Sequence, residues 1–116
     1  MIAPHQSCTQ STVADALAAA LKRHGVEWVF GQSIPSALFM ALPAAGIRQV
    51  GYRTENAGGI MADGYARISH KVGVVAAQNG PAATLLVPPL AEALKASVPI
   101  VALVQDVPCA MVDKNA

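Results

Sequence analysis

The chain carries two hydrophobic rhythms in alternation. From Thr12 to His24, apolar residues return every four positions at Val13, Leu17 and Leu21, which predicts an amphipathic helix. Thr12 and Asp15 have capping-box spacing at its start, and Gly25 supplies a stop. Short apolar runs follow at Val26 to Phe30, Ile47 to Tyr52, Val72 to Ala77 and Ser97 to Val104. The last two are continuous enough to predict parallel strands buried on both faces. Helical stretches separate these runs: Ser36 to Leu42 before Pro43, Glu55 to Ser69, and Ala82 to Ala96, the last disturbed at Pro88 and Pro89. Within Glu55 to Ser69, the residues Ala57, Ile60, Met61, Gly64, Tyr65 and Ile68 share one face, the expected apolar one.

Strands and helices in alternation predict an α/β fold, a parallel sheet of about four strands with helices on both faces. Residues 1–11 read as a flexible lead-in, 12–107 as the packed domain and 108–116 as loop. About five or six strands are usual for a sheet of this kind, so a truncated domain is expected.

Composition adds one constraint. Of 116 residues, 53% are hydrophobic and only 13% charged, against about 25% charged in an average soluble domain. Either the chain buries much of itself, or part of its surface is meant to be covered. The net charge of +1 and the 4% aromatic content exclude a basic, base-stacking nucleic-acid binder. Val72 to Ala91 is free of charge, but Gln78 to Pro81 and Pro88-Pro89 interrupt it, so a membrane span is not expected. Residues 1–11 have neither the basic nor the apolar region of a signal peptide. Cys8 and Cys109 form no CxxC or zinc pattern and read as reduced thiols of a cytoplasmic protein.

Candidate chemistry concentrates at two strand-to-helix junctions. Glu55 stands where the run ending at Tyr52 gives way to a helix, and ligands of open α/β sheets gather at such ends. A first-turn Glu also suits the helix dipole with no further role. Gln78-Asn79-Gly80-Pro81 forms the second junction, where Gly80 permits close backbone approach and Pro81 can open a helix. A plain tight turn needs the same residues. There is no G-x-G-x-x-G and no Walker motif. Gly58-Gly59 lies inside a predicted helix, where close packing is the expected reason for it. His5, His24 and His70 are isolated, the last two at helix ends; Asp63 and Arg67 are spaced to pair on one helix.

Taken together, several segments resemble the N-terminal, pyrimidine-binding domain of thiamine-diphosphate enzymes, in particular the acetolactate synthase-like branch. They are Ala14 to Leu17, His24 to Val26, Val29 to Gly31, Tyr52 to Arg67, Lys71 to Val74, Asn79 to Pro81, Ala83-Thr84 and Ser97 to Val101. The resemblance implies a flavodoxin-like fold and thiamine diphosphate as cofactor. Glu55 would be the catalytic residue, its carboxyl group hydrogen-bonded to N1′ of the aminopyrimidine. Gly80 and Pro81 would help bind the cofactor, and Thr54, Gln78, Asn79 and Pro35 would lie near cofactor or substrate. It further implies decarboxylation or carboligation of a small 2-keto acid. Mg²⁺ and the diphosphate would be held by a second domain absent from this chain, from the same or a neighbouring subunit. A homodimer or homotetramer is implied, and the chain alone would be inactive. Departures from the family pattern are Thr54 where His is frequent, Gly31-Gln-Ser-Ile-Pro-Ser36 for Gly-x-Pro-Gly, Ala82 for Gly and Leu85 for Asn. They favour a branch apart from the standard acetolactate synthases. The alternative reading is a non-catalytic oligomerisation or regulatory module that retains the fold. A nucleotide-binding flavodoxin-like domain ranks behind both, since a phosphate loop is lacking.

Overall fold

The computed structural model describes residues 11–114; His5 and Cys8 fall outside them. Four parallel strands, β1 (Trp28–Phe30), β2 (Arg48–Val50), β3 (Gly73–Ala77) and β4 (Ile100–Val104), lie in the order β2-β1-β3-β4. Helices α1 (Val13–Arg23) and α2 (Ser36–Ala41) precede and follow β1. Helix α3 (Glu55–Ser69) links β2 to β3, and α4 (Pro81–Thr84) with α5 (Val87–Ala96) links β3 to β4. The expected parallel α/β sheet is therefore what forms.

The order of strands decides which helix covers which face. The chain steps outward one way from β1 to β2, then crosses back and steps the other way from β3 to β4. Right-handed crossovers in opposite directions put their helices on opposite faces. Accordingly, Ala18 and Leu21 of α1 and Leu38 of α2 pack with Val29, Val74 and Ala76 on one side. Ala62 of α3 and Leu86 pack with Phe30, Val75 and Ala77 on the other. Neighbouring residues of β1 and β3 thus feed two different cores, and β3 is buried along its whole length. Leu42 and Leu86 are among the largest fully buried side chains, each contributing ~2 kcal/mol by leaving water.

Local signals set most element ends. Thr12 and Asp15 form the capping box that starts α1, and their hydrogen bonds hold the Asp15 carboxyl below its ordinary range. Residues His24 and His70 close α1 and α3, His70 in the left-handed region. Asp63 pairs with Arg67 as spaced, and Arg67 also reaches Glu92 of α5 at 3.6 Å.

Four expectations are corrected. Val13 is 85% exposed, and Ala18 takes its place beside Leu21 in the core. Strand β4 is not buried on both faces: it is an edge strand, and Val101 and Val104 are 40% and 45% exposed. The helix after the third strand breaks at Leu85-Leu86, before the two prolines. Pro88 and Pro89 sit in the first turn of α5, whose N–H groups have no helical partner to lose. Finally, the apolar face expected of α3 is only half right: Met61 and Tyr65 pack partly buried against the sheet-side core, but Ile60 and Ile68 do not. The buried positions of α3 are Gly58, Gly59, Ala62, Asp63 and Ala66, while Ile60 and Ile68 are 63% and 85% exposed. One 3-10 turn, Pro43–Ala45, follows α2, and another, Cys109–Met111, lies in the stretch expected to be loop.

Candidate functional site

Between β1 and β3 the chain reverses its direction of travel across the sheet. Such a switch point opens a crevice at the carboxyl ends of the strands, because the loops there diverge to opposite faces. Gln32 to Ile34 leave β1, and Gln78 to Pro81 leave β3, at that edge. Tyr52 to Glu55 join them from β2.

Glu55 is the first residue of α3 and is half-buried. The Thr54 side chain caps the helix by accepting from Ala57 N, and Gly58 N reaches Thr54 O at 3.0 Å. A carboxylate at that position feels the positive end of a fifteen-residue helix. Glu55 lines a pocket of ≈ 470 Å³ together with Gln78, Asn79, Gly80, Pro81, Ala82 and Leu85. That volume lies within the usual range of small-molecule sites. Gly80 has φ 68 and ψ −132, a conformation open to glycine, and a Cβ there would meet nothing within 4 Å. The turn consequently offers bare backbone at the pocket rim, beside two side-chain amides and the apolar wall of Leu85.

A second, smaller cavity of ≈ 90 Å³ shares Glu55 and Gln78 with the first and is closed by Gln32, Ser33, Ile34 and Tyr52. Here the side chains are knit together. Gln32 Nε2 donates to Tyr52 O at 2.8 Å and to Arg53 O at 3.2 Å. Gln49 Nε2 donates to Gly31 O at 2.9 Å and also to Gln32 O. The Tyr52 hydroxyl donates to Ala76 O at 2.7 Å inside the protein. Burial pushes the Tyr52 phenol above its ordinary range, and the neighbouring Glu55 charge adds to the effect.

Of the residues singled out in the sequence, Glu55, Gln78, Asn79, Gly80 and Pro81 come together around one pocket. Thr54 stands next to Glu55 but is engaged in the helix cap. Pro35 lies apart: with Val13, Leu17, Leu38 and Val104 it lines a separate groove of ≈ 630 Å³. Gln32 and Tyr52 join the site although no motif in the sequence assigns them a role there. Their positions directly behind strand ends were the available signal, but their contacts span about twenty residues of chain and depend on β1 lying between β2 and β3. Among the described residues no three His, Cys, Asp or Glu side chains gather as a metal site. No described helix is long and apolar enough to cross a membrane. A carboxylate, two amides, exposed backbone and an apolar wall suit a small ligand with both hydrogen-bonding and apolar surface, and no cationic side chain lines the pocket to hold a diphosphate.

Residues 11–116 match the family model described as thiamine pyrophosphate enzyme, N-terminal TPP binding domain. A chloroplastic acetolactate synthase of Arabidopsis thaliana is 44% identical over 108 residues, covering 89% of this chain and 16% of that protein. A probable 2-ketoarginine decarboxylase of Pseudomonas aeruginosa is 40% identical over 106 residues, 88% of this chain and 19% of that protein. A sulfoacetaldehyde acetyltransferase of Rhodobacter capsulatus is 40% identical over 77 residues, 63% of this chain and 13% of that protein. The chain therefore spans under a fifth of the length of these relatives.

Proposed function

Because the chain belongs to the family of thiamine pyrophosphate enzyme N-terminal domains, we propose that it forms the pyrimidine-binding half of an active site in a thiamine-diphosphate enzyme acting on 2-keto acids. Residues 12–107 make up that half. One observation carries the reading: Glu55 and the Gln78–Pro81 turn, far apart in sequence, line a single pocket at the switch point of the sheet. Glu55, Gly80 and Pro81 would be the residues that hold the aminopyrimidine in this pocket, Glu55 as hydrogen-bonding partner of N1′. Asn79 and Gln78 supply amides that orient polar atoms, and Leu85 excludes water from one side. When bound, the cofactor supplies the nucleophile and the electron sink for chemistry at the keto carbon. Glu55 holds or shares the proton at N1′.

The diphosphate and Mg²⁺ fall to a second domain of the same or a neighbouring subunit, in a dimeric or tetrameric enzyme of the cytoplasm. Acetolactate synthase-like carboligation and the decarboxylation named for a relative are the two outcomes open to such a site.

Glu55→Gln in the complete enzyme tests this. Turnover falls by about 10²–10⁴-fold with the circular-dichroism spectrum unchanged, as expected for loss of a proton-handling carboxylate. Near-normal turnover would remove Glu55 from the chemistry. Titrated with thiamine diphosphate and Mg²⁺, the 116-residue chain alone gives no binding heat; tight binding would contradict the half-site.

A further inference from the structure

Gln32 is an exposed loop residue whose amide nitrogen is nonetheless doubly engaged. Its Nε2 donates to two consecutive carbonyls, those of Tyr52 and Arg53, at 2.8 and 3.2 Å. A side-chain amide carries two N–H donors, so one group satisfies both acceptors. Those carbonyls belong to the β2–α3 connection, directly before the Thr54 cap and Glu55. The loop that presents Gln32 is itself held, since Gln49 donates to the carbonyls of Gly31 and Gln32. From the far side, Tyr52 is anchored through its hydroxyl to Ala76 of β3. The peptide that delivers Glu55 is thus tied to the β1 loop, to β3 and to its own helix cap.

We propose that Gln32 is a positioning residue for Glu55. By clamping the carbonyls of Tyr52 and Arg53, it fixes where α3 begins and so where the Glu55 carboxylate stands between the two cavities. The consequence for cofactor binding rests on the functional reading above; the clamp itself does not. The small cavity gives Gln32 and Glu55 a common wall, so a shift of the connection moves the carboxylate relative to the pocket.

Gln32→Met keeps the length of the side chain and removes both donors. Hydrogen exchange on the 116-residue chain reads the clamp without any ligand. In Gln32→Met the amides of Ala57 and Gly58, which close the first turn of α3 onto Thr54, exchange about threefold to tenfold faster. The amide of Gln105, bonded to Ala77 across the sheet, keeps its rate. Equal acceleration at all three would mean general loosening and would overturn the proposal, as would unchanged rates at Ala57 and Gly58. A second arm uses the complete enzyme and calorimetry, comparing thiamine diphosphate with its analogue lacking N1′. Gln32→Met lowers the preference for the natural cofactor by about tenfold, and Glu55→Ala, which leaves no group to pair with N1′, abolishes it. If Glu55→Ala abolishes the preference and Gln32→Met leaves it intact, positioning by Gln32 is wrong and the functional reading stands. If Glu55→Ala also leaves it intact, the functional reading is wrong, and the exchange rates alone judge the clamp.

Discussion

The two faces of α3 invert the usual distribution of residue sizes. Its fully buried positions are the small residues Gly58, Gly59, Ala62 and Ala66, flanked by Met61 and Tyr65 at the margin of the core, while Ile60 and Ile68 stand exposed. The reason is the width of the gap. A Cβ on Gly58 would come within 2.3 Å of the Tyr52 ring, and one on Gly59 within 2.4 Å of Pro89. Tyr52 and Pro89 fill the space that larger residues at positions 58 and 59 would otherwise occupy, so along its centre line the helix contributes backbone and methyl groups instead. Interiors are packed to crystal density, and only the sum of facing volumes is constrained. The centre of the inner face is therefore tightly specified by small residues, whereas the outer face tolerates large ones because Ile60 and Ile68 stay mostly exposed.

Gly58→Ala puts that contrast to its hardest test. The added methyl group meets a ring that cannot simply swing aside, since its hydroxyl is bonded to Ala76 O. Overpacking of this kind costs ~1–3 kcal/mol, more than the ~1 kcal/mol gained by replacing a helical glycine. Urea denaturation should show a net loss, and a Tyr52→Leu background should shrink it. Gly58 lies one turn from Glu55, so the displaced ring also disturbs the site, and turnover of the complete enzyme falls with stability. An unchanged midpoint would mean that Tyr52 yields easily and that the inner face is not size-limited.

The same contrast explains what was legible in the sequence. The bounds of α3 were readable because Thr54 before it and His70 after it are local signals with local partners. Met61 and Tyr65 were readable as core-facing, but the centre of the buried face was not, because periodicity follows large apolar residues and the choice of small ones is made by Tyr52 and Pro89, distant in the chain. The Gly58-Gly59 pair was the one visible trace of that choice, and close packing is indeed what it serves. Likewise Glu55 and Gln78 to Pro81 could be found at strand ends, the places where an open sheet presents residues to ligands. Gln32 could not: a glutamine in a polar loop is ordinary until the strand order sets it beside Tyr52 and Arg53. The exposure of β4 also depends on strand order, because an apolar run reads the same at an edge as in the middle.

Tyr52→Phe sharpens the inner face chemically while leaving its shape alone. The ring still fills the space under Gly58, but the bond to Ala76 O is lost, at ~1 kcal/mol. The pH dependence of this difference has a definite sign. The folded-state phenol is raised, by burial first and the Glu55 charge second. Its contribution is complete below the unfolded phenol value of about 10 and is lost as pH rises through the folded value. Denaturation at pH 7 should favour the wild type, and the gap should close in alkali. A gap that widened with pH would mean that the phenol is not held neutral in the fold.

Gly64→Ala is the mildest change and the one of opposite sign. Gly64 sits in the same helix as Gly58, on the side of Ile60 and Ile68, and a Cβ there would meet nothing within 4 Å. Its backbone is ordinary helix and is not among the residues with positive φ. The substitution therefore adds no contact and creates no strain; it removes conformational freedom from the unfolded chain and raises helix propensity, for ~0.5–1 kcal/mol of added stability. The thermal midpoint should rise by a few degrees for a domain of this size. Two identical chemical changes six residues apart would then move stability in opposite directions, and only the space facing each position differs. A fall in the midpoint of Gly64→Ala would show that the outer face of α3 is closely covered in solution, and the contrast between the two faces would lose its basis.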